Sequence, residues 1–503
     1  MLDEVLVRQA ADPRTDTATL ARLASEHPEL RPAIASNAAT YPELLNWLAS
    51  LGDPAVDAVL AARPAGSSSA LPATEAVANP FAGLPVRDYV RDLLAVLALL
   101  ISLALPWTGS GQSYSRIDVV LVTVLSVVSV GLPYAGRLGA FPDSWTVVTV
   151  RLLRLLANAP YVVVTLVYLV LAVVTSFGGA DQWSLGTGLG LGLAGALLAA
   201  QPRAHELGPP AADHGIRLLW RRVLLINAVL LGLVGLTVII EALTQLGSGG
   251  AGTAIWIITT VVTTALLVAF ALLPQLATFG GAADWQIVTV VLGSVFAVLF
   301  VLSTGTGWFP PVFTLSSSSA PLVLLAAGAA IASGSAISQT PGRQRDAVTW
   351  IGVASAVFLL VTLLATLRAV VGLLNTLDGA DLSYGLLPLI LGVVLLATAL
   401  VGFSSLRERA RASRNAGLIV AVVLAVVALA QLVVNVTAEF AFVGFIDILL
   451  TFVLPGLAIY ALTGPAAIRA RFPQPVLPGL STRSPAAGEP DWRPPPARGD
   501  EPQ

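Results

Sequence analysis

Between residues 92 and 463 the chain runs through twelve apolar stretches, at about 92–107, 117–134, 159–177, 183–201, 222–244, 254–276, 285–303, 320–338, 347–374, 384–403, 416–437 and 441–463. A helix rises about 1.5 Å per residue, so some 20 apolar residues cross the ~30 Å hydrocarbon layer of a bilayer. Backbone amides in lipid must find partners within their own segment, so these stretches read as helices. The expected fold is all-α, with a polytopic helical membrane domain of about twelve spans over residues 87–464. Apolar residues fill 56% of the 503 positions and charged residues 11%. That leaves too little polar surface for a soluble protein of this length.

Charge then orients the spans. All 27 basic residues are arginine, in a chain rich in Ala, Leu, Val and Gly, which reads as the codon bias of a GC-rich genome. Residues 1–86 lack a charged start followed by an apolar core, so the N-terminus is expected in the cytoplasm. Of the 19 arginines from Arg87 to Arg471, seventeen then fall on the cytoplasmic side. Arg116 and Arg368 are the exceptions. This matches the positive-inside rule and predicts a cytoplasmic membrane protein with both termini inside. Residues 145–157, which carry Arg151 and Arg154 ahead of Pro160, read as an amphipathic helix on the inner surface. The alternative is one long tilted helix.

Two flanking regions differ in composition. Residues 64–86, rich in Pro, Gly, Ser and Ala, read as a flexible linker, and residues 465–503, with ten prolines, read as a disordered cytoplasmic tail. Residues 1–63 contain four short helix signals, beginning near Thr17, Pro28, Pro42 and Asp53. Each helix has a narrow apolar stripe, so the helices must stack to bury one another. The phrases Ala11-Asp-Pro-Arg-Thr15, His27-Pro-Glu-Leu-Arg31, Tyr41-Pro-Glu-Leu-Leu-Asn-Trp-Leu48 and Gly52-Asp-Pro-Ala-Val56 resemble the variant leucine-rich repeat module of actinobacterial multi-pass membrane proteins. The resemblance implies a helix-packing module without an activity of its own; because stacked helices commonly present a binding face, residues 1–63 are expected to dock a cytosolic protein, with Pro42, Leu45, Trp47 and Asp53 as marker residues. A cap with no partner is the alternative.

One phrase occurs twice. Asp143-Ser-Trp-Thr-Val-Val-Thr-Val150 is echoed by Asp284-Trp-Gln-Ile-Val-Thr-Val290, each after a Leu-Pro step and a glycine loop, with Trp145 and Trp285 140 residues apart. The offset predicts a parallel duplication, with repeat A at about 117–245 and repeat B at about 254–374. Extra helices lie at 92–107 and 384–463. In each copy the Asp is expected to cap a helix whose Trp lies at the membrane interface. The tenth and eleventh spans, joined by Arg407–Arg414, read as a partial third copy, and the twelfth echoes the Leu-Pro step at Leu454-Pro455.

Few residues offer chemistry. Net charge of −2 excludes a nucleic-acid face, and the absence of cysteine excludes thiolate sites. No cofactor, metal or catalytic signature is present. The glycine run at 186–195 lies inside a lipid-length apolar segment, where it reads as close helix packing rather than a dinucleotide loop. Intramembrane polar residues remain: Glu241, Arg368, Asp447, Asn227 and Asn435. Glu241 and Arg368 fall ~28–32 Å from the inner surface. They are expected either to snorkel to water or to pair across the repeats and line an outer vestibule. The leading expectation is a non-enzymatic integral membrane protein with a docking module. The alternative is a secondary transporter using the repeat interface.

Overall fold

A computed structural model of the chain describes residues 4–62, 84–109, 111–142, 144–177, 184–207, 213–246, 251–306, 310, 312–338, 346–380, 382, 384–406, 411–437 and 444–472. Most of the expected linker, Asp143 and the tail beyond 472 lie outside the described residues. The chain divides into two compact units, Met1–Ala82 and Gly83–Gln503.

The first unit contains five short helices: α1 (Glu4–Ala11), α2 (Thr17–Glu26), α3 (Arg31–Ser36), α4 (Pro42–Ala49) and α5 (Pro54–Ala62). Four match the sequence signals; α1 is additional. Asp16 caps α2, its side chain accepting from Thr19 N at 3.0 Å, and Asp53 accepts from Ala55 N at 2.9 Å as α5 begins. Leu20, Leu23, Leu30, Ile34, Leu44, Leu48 and Val56 form a common core. Buried Asn37 donates to Ala10 O at 2.8 Å and Asp12 O at 2.9 Å. That one amide fixes the end of α1 against the turn after α3. Leu45 is half-buried and Trp47 exposed, with Arg31 over the Trp47 ring at 5.5 Å.

The second unit is almost entirely helical: α6 (Val86–Ala104), α7 (Ile117–Arg137), α8 (Val147–Ser176), α9 (Thr187–Ala200), α10 (His214–Thr244), α11 (Ala251–Phe279), α12 (Ala283–Thr306), α13 (Leu325–Ser333), α14 (Ser335–Ser338), α15 (Ala347–Leu377), α16 (Leu386–Ser405), α17 (Arg411–Thr437), α18 (Phe445–Ile448), α19 (Leu454–Thr463) and α20 (Ala466–Arg471). Among the described residues, nine helical spans are long and apolar enough to cross a membrane, α18–α19 counting as one, Phe445–Thr463. This is a multi-pass membrane protein. Leu121, Val128, Val170, Val174 and Val426 are all well exposed on the helices, as a lipid-facing surface requires.

Three of the twelve expected spans do not meet that measure. α6 is 19 residues long but carries Arg87, Asp88, Arg91 and Asp92 in its first turns. α9, and the turn-plus-helix Ala320–Ser333 that ends in α13, are each 14 residues long, about 21 Å. Both short helices are buried along nearly their whole length and pack against each other. A two-residue ladder, Leu185–Gly186 (β1) against Val312–Phe313 (β2), joins the segments just ahead of them. The glycines of the 186–195 run permit this packing. A Cβ on Gly190 would overlap Val323 O, and one on Gly192 would overlap Tyr161 Oη.

Several local expectations change. α8 is one continuous 30-residue helix with Pro160 inside it, so 145–157 is not a separate interfacial helix. Proline lacks only the bond to residue 156 and the helix bridges the gap, held on one side by packing against α7 and α9. The α8 N-cap is Thr146, whose hydroxyl accepts from Thr149 N at 3.3 Å. Asp284 lies within the first turn of α12 rather than capping it, where its charge still complements the helix dipole. Trp145 precedes α8 and stacks on Phe141, centroids 4.8 Å apart, while Trp285 packs on the core from within α12. Pro455 opens α19 after a π-helical turn, Leu449–Val453, so it does not end a helix. Residues 466–471 form α20, with Ile468 and Phe472 buried, so residues 465–472 are not a disordered tail.

The two Leu-Pro turns close alike. After Pro133, Ala140 N donates to Ala135 O at 3.1 Å and Gly139 N to Gly136 O at 3.2 Å; after Pro274, Ala282 N donates to Ala277 O at 3.1 Å and Gly281 N to Thr278 O at 2.9 Å. This is one double-bonded helix ending, with Gly139 (φ 71°) and Gly281 (φ 89°) at the left-handed position, and it recurs after α15, where Gly379 (φ 83°) donates through N to Thr376 O at 3.2 Å and Ala380 N to Asn375 O at 2.9 Å.

Candidate functional site

A short helix that ends inside a protein exposes its last carbonyls, which need donors. α9 ends in this way, and a buried ionic centre closes it. Arg154 of α8 donates to Gln201 O at 2.6 Å, and Arg91 of α6 donates to Pro202 O at 2.9 Å. Both cations thus lie at the negative end of the α9 dipole.

Acids then balance the arginines. Arg154 makes a bidentate pair with Glu206, at 3.1 and 2.8 Å. Arg203 donates through Nε and Nη2 to Asp92 Oδ2, at 2.9 and 2.6 Å, and through Nη2 to Val130 O at 2.9 Å. Tyr134 donates to the same Asp92 oxygen at 2.6 Å, and its ring lies under the Arg203 guanidinium at 5.0 Å. Asp88 accepts from Ala204 N at 3.3 Å. The centre therefore contains Arg91, Arg154 and Arg203 with Asp88, Asp92 and Glu206, all at most 9% exposed. Burial by itself would raise the Glu206 carboxyl. The charge and hydrogen bonds of Arg154, with the Arg203 backbone N–H and guanidinium, outweigh it and hold the group down at about 2. Charges this buried are tolerated only when paired and hydrogen-bonded, and here they are.

The end of α13 is closed by amides instead. Gln201 donates to Ala330 O at 2.8 Å and Gln286 to Ala332 O at 2.8 Å. Asn227 of α10 donates to Gln275 Oε1 of α11 at 2.8 Å and to Leu324 O at 3.2 Å. Its role is interhelical hydrogen bonding.

Arg368 is not joined to Glu241. It pairs with Asp447 Oδ1 at 2.6 Å, and Gln431, with its amide oxygen turned to the guanidinium, accepts from Nε at 2.8 Å and Nη2 at 2.7 Å. α15, which carries Arg368, packs on α16, α19, α11 and α12, and Asp447 enters from α18. Sequence offset paired the wrong partners because it ignored which helices become neighbours. Arg116, the other exception to the expected charge pattern, is similarly held: it donates to Tyr168 Oη at 3.2 Å and Thr108 Oγ1 at 3.0 Å, and Tyr168 donates to Asp118 at 2.7 Å. Asn435 lies on α17, with its side chain outside the described residues.

The ionic centre was missed in the sequence because its arginines were counted only as orientation markers. Its signal was the matched acids, Asp88, Asp92 and Glu206, placed against apolar segments where a solvated charge has no use.

A family model described as a domain of unknown function (DUF7937) matches residues 88–471. The chain belongs to that family. The match opens on Asp88, the first acid of the ionic centre, and closes on Arg471, the last residue of α20, so the DUF7937 domain coincides with the described helical membrane unit. A second model, the leucine-rich repeat variant domain, matches residues 5–64, the five-helix unit. No curated protein and no solved structure matches the chain.

Proposed function

We propose that this protein is a non-enzymatic integral component of the cytoplasmic membrane, whose DUF7937 domain anchors the N-terminal helical module for docking a cytosolic protein. The observation that carries this is the closure of α9 and α13 by the chain's own groups. Paired half-length helices at corresponding places in two repeats commonly mark a transporter's substrate site. Here the carbonyl ends that would face an ion hold Arg91, Arg154, Gln201 and Gln286, and the two helices meet at glycine-to-backbone distance. That arrangement favours a fixed scaffold over a carrier.

The same observations support two finer readings. The like order of α7–α10 and of α11, α12, α13 and α15, each set opening on a helix that carries a Leu-Pro step near its end, favours a parallel duplication. The gathering of Arg91, Arg151, Arg154 and Arg203 at one end of their helices favours twelve membrane segments with both termini inside. In the module, exposed Trp47 and Leu51 supply apolar surface to a partner.

Deleting residues 1–63 tests the docking. The truncated protein should reach the membrane and unfold at the same temperature in detergent, yet lose the proteins that co-purify with the full chain. An unchanged set of partners refutes the adaptor reading, and substrate flux into proteoliposomes restores the transporter. Reporter fusions at Gly249 and Ser317 should signal outside and at Arg411 inside; an outside signal at Arg411 overturns the topology.

A further inference from the structure

The first turns of α8 and α10 diverge and leave a groove of about 390 Å³, floored by Ala200 and Pro202 at the end of α9. Its walls are Leu152 and Leu155 of α8 and Ile216 and Leu219 of α10. The volume falls within the ~300–1,000 Å³ of small-molecule sites. Leu152 and Val148 are more than half exposed on the flank of α8, so the groove opens where the bilayer lies rather than into the protein.

Three polar residues line it. Arg151 pairs with Asp213 through Nη1 at 3.1 Å, but its Nε is buried with no acceptor. Trp220 is 2% exposed, and its indole N–H is buried with no acceptor either. Two desolvated donors left unmatched in one groove are costly, on the order of 1–3 kcal/mol each. Ligand oxygens accepting from them would remove that cost. The opening turns of α10 add Arg217, Arg221 and Arg222 nearby in sequence, so the surrounding charge favours an anion.

We infer that this groove is a binding site for an anionic glycerophospholipid, whose phosphodiester oxygens accept from Arg151 Nε and Trp220 Nε1 while an acyl chain lies along Leu152, Leu155 and Leu219. The site is distinct from the ionic centre, which lies on Arg91, Arg154 and Arg203 and contributes none of these to the lining of the groove.

The test is thermal unfolding of the full-length protein in a neutral detergent, titrated with dioctanoyl phosphatidylglycerol, dioctanoyl phosphatidylcholine or inorganic phosphate. Phosphatidylglycerol should raise the midpoint in a saturable way, as a ligand of the folded state does. Phosphatidylcholine should need at least tenfold more for the same shift, and inorganic phosphate should give none. Trp220→Phe keeps the ring and removes the donor, and should weaken phosphatidylglycerol about tenfold. Asp213→Asn frees the Arg151 guanidinium and should strengthen it, a direction that misfolding cannot mimic. Equal response to both lipids, stabilisation by phosphate alone, or unchanged affinity in both variants overturns the site.

Discussion

Arg203 grips a single oxygen of Asp92 with two donors, Nε at 2.9 Å and Nη2 at 2.6 Å, across 111 residues of chain. The contact fastens the segment after α9 to the first turns of α6. Removing one member leaves a buried charge, which typically costs 3–5 kcal/mol, whereas replacing both by apolar groups is often nearly neutral. Asp92→Leu should therefore lower the unfolding midpoint in detergent by many degrees, and Asp92→Leu with Arg203→Met should recover much of the loss. A double variant as unstable as the single would show that this pair does not hold the segment.

Acid should loosen the same centre late. Glu206 is held at about 2 in the folded protein, below its ordinary 4.5. Its contribution to stability is complete above pH ~4.5 and is lost as pH falls toward the folded value, because only the unfolded chain takes up the proton in that window. Unfolding midpoints measured from pH 5 down to 3 should fall in the natural protein and fall less in Glu206→Gln. Parallel slopes would remove Glu206 as the cause.

Two glycines of α9 should respond differently to alanine. At Gly192 the obstacle is a side-chain hydroxyl, Tyr161 Oη; at Gly190 it is a backbone oxygen, that of Val323. Overpacking of this kind costs about 1–3 kcal/mol. Gly192→Ala should be partly rescued by Tyr161→Phe, and Gly190→Ala should not. Equal rescue of both, read by thermal unfolding, would count against backbone contact between α9 and the segment leading into α13.

Arg368 pairs with Asp447 and donates to Gln431, and Asp447 also accepts from Gly444 N at 3.1 Å. Reversing either charge should reduce the yield of folded, detergent-stable protein, and the swap Arg368→Asp with Asp447→Arg should restore it in large part. The corresponding swap with Glu241 should restore nothing, since Arg368 is paired with Asp447 and α10, which carries Glu241, packs chiefly on α11. Rescue by the Glu241 swap would revive the pairing across repeats.

Much was readable in one dimension because its cause is one-dimensional. Membrane helices follow from runs of apolar residues, and all twelve apolar stretches coincide with helices. The prolines at 28, 42 and 54 and the acids at 16 and 53 mark helix starts in the first unit, because capping acts within a few residues. The helix α1, Glu-Val-Leu-Val-Arg-Gln-Ala-Ala, follows Asp3, a cap-type residue outside the four helix signals read from the sequence. Its end is secured by Asn37, 25 to 27 residues away.

The partners of the buried charges were not readable. Arg151, Arg154 and Arg203 carry the same label in a positive-inside count, yet the first lines an open groove and the other two close a centre with Glu206. The Glu241–Arg368 pairing likewise rested on equal depth, and depth does not say which helix stands beside which. The sequence by itself determined that this chain enters a membrane, where it does so, and that a small helical unit precedes the spans, since burial of apolar runs and local capping are properties of neighbouring residues. Only the tertiary structure decided that two of those apolar runs are short helices sealed at their ends, and that the buried arginines are matched to particular acids and carbonyls. A charge in a low-dielectric interior is settled by whatever group comes within about 3 Å, and which group does so is fixed by packing.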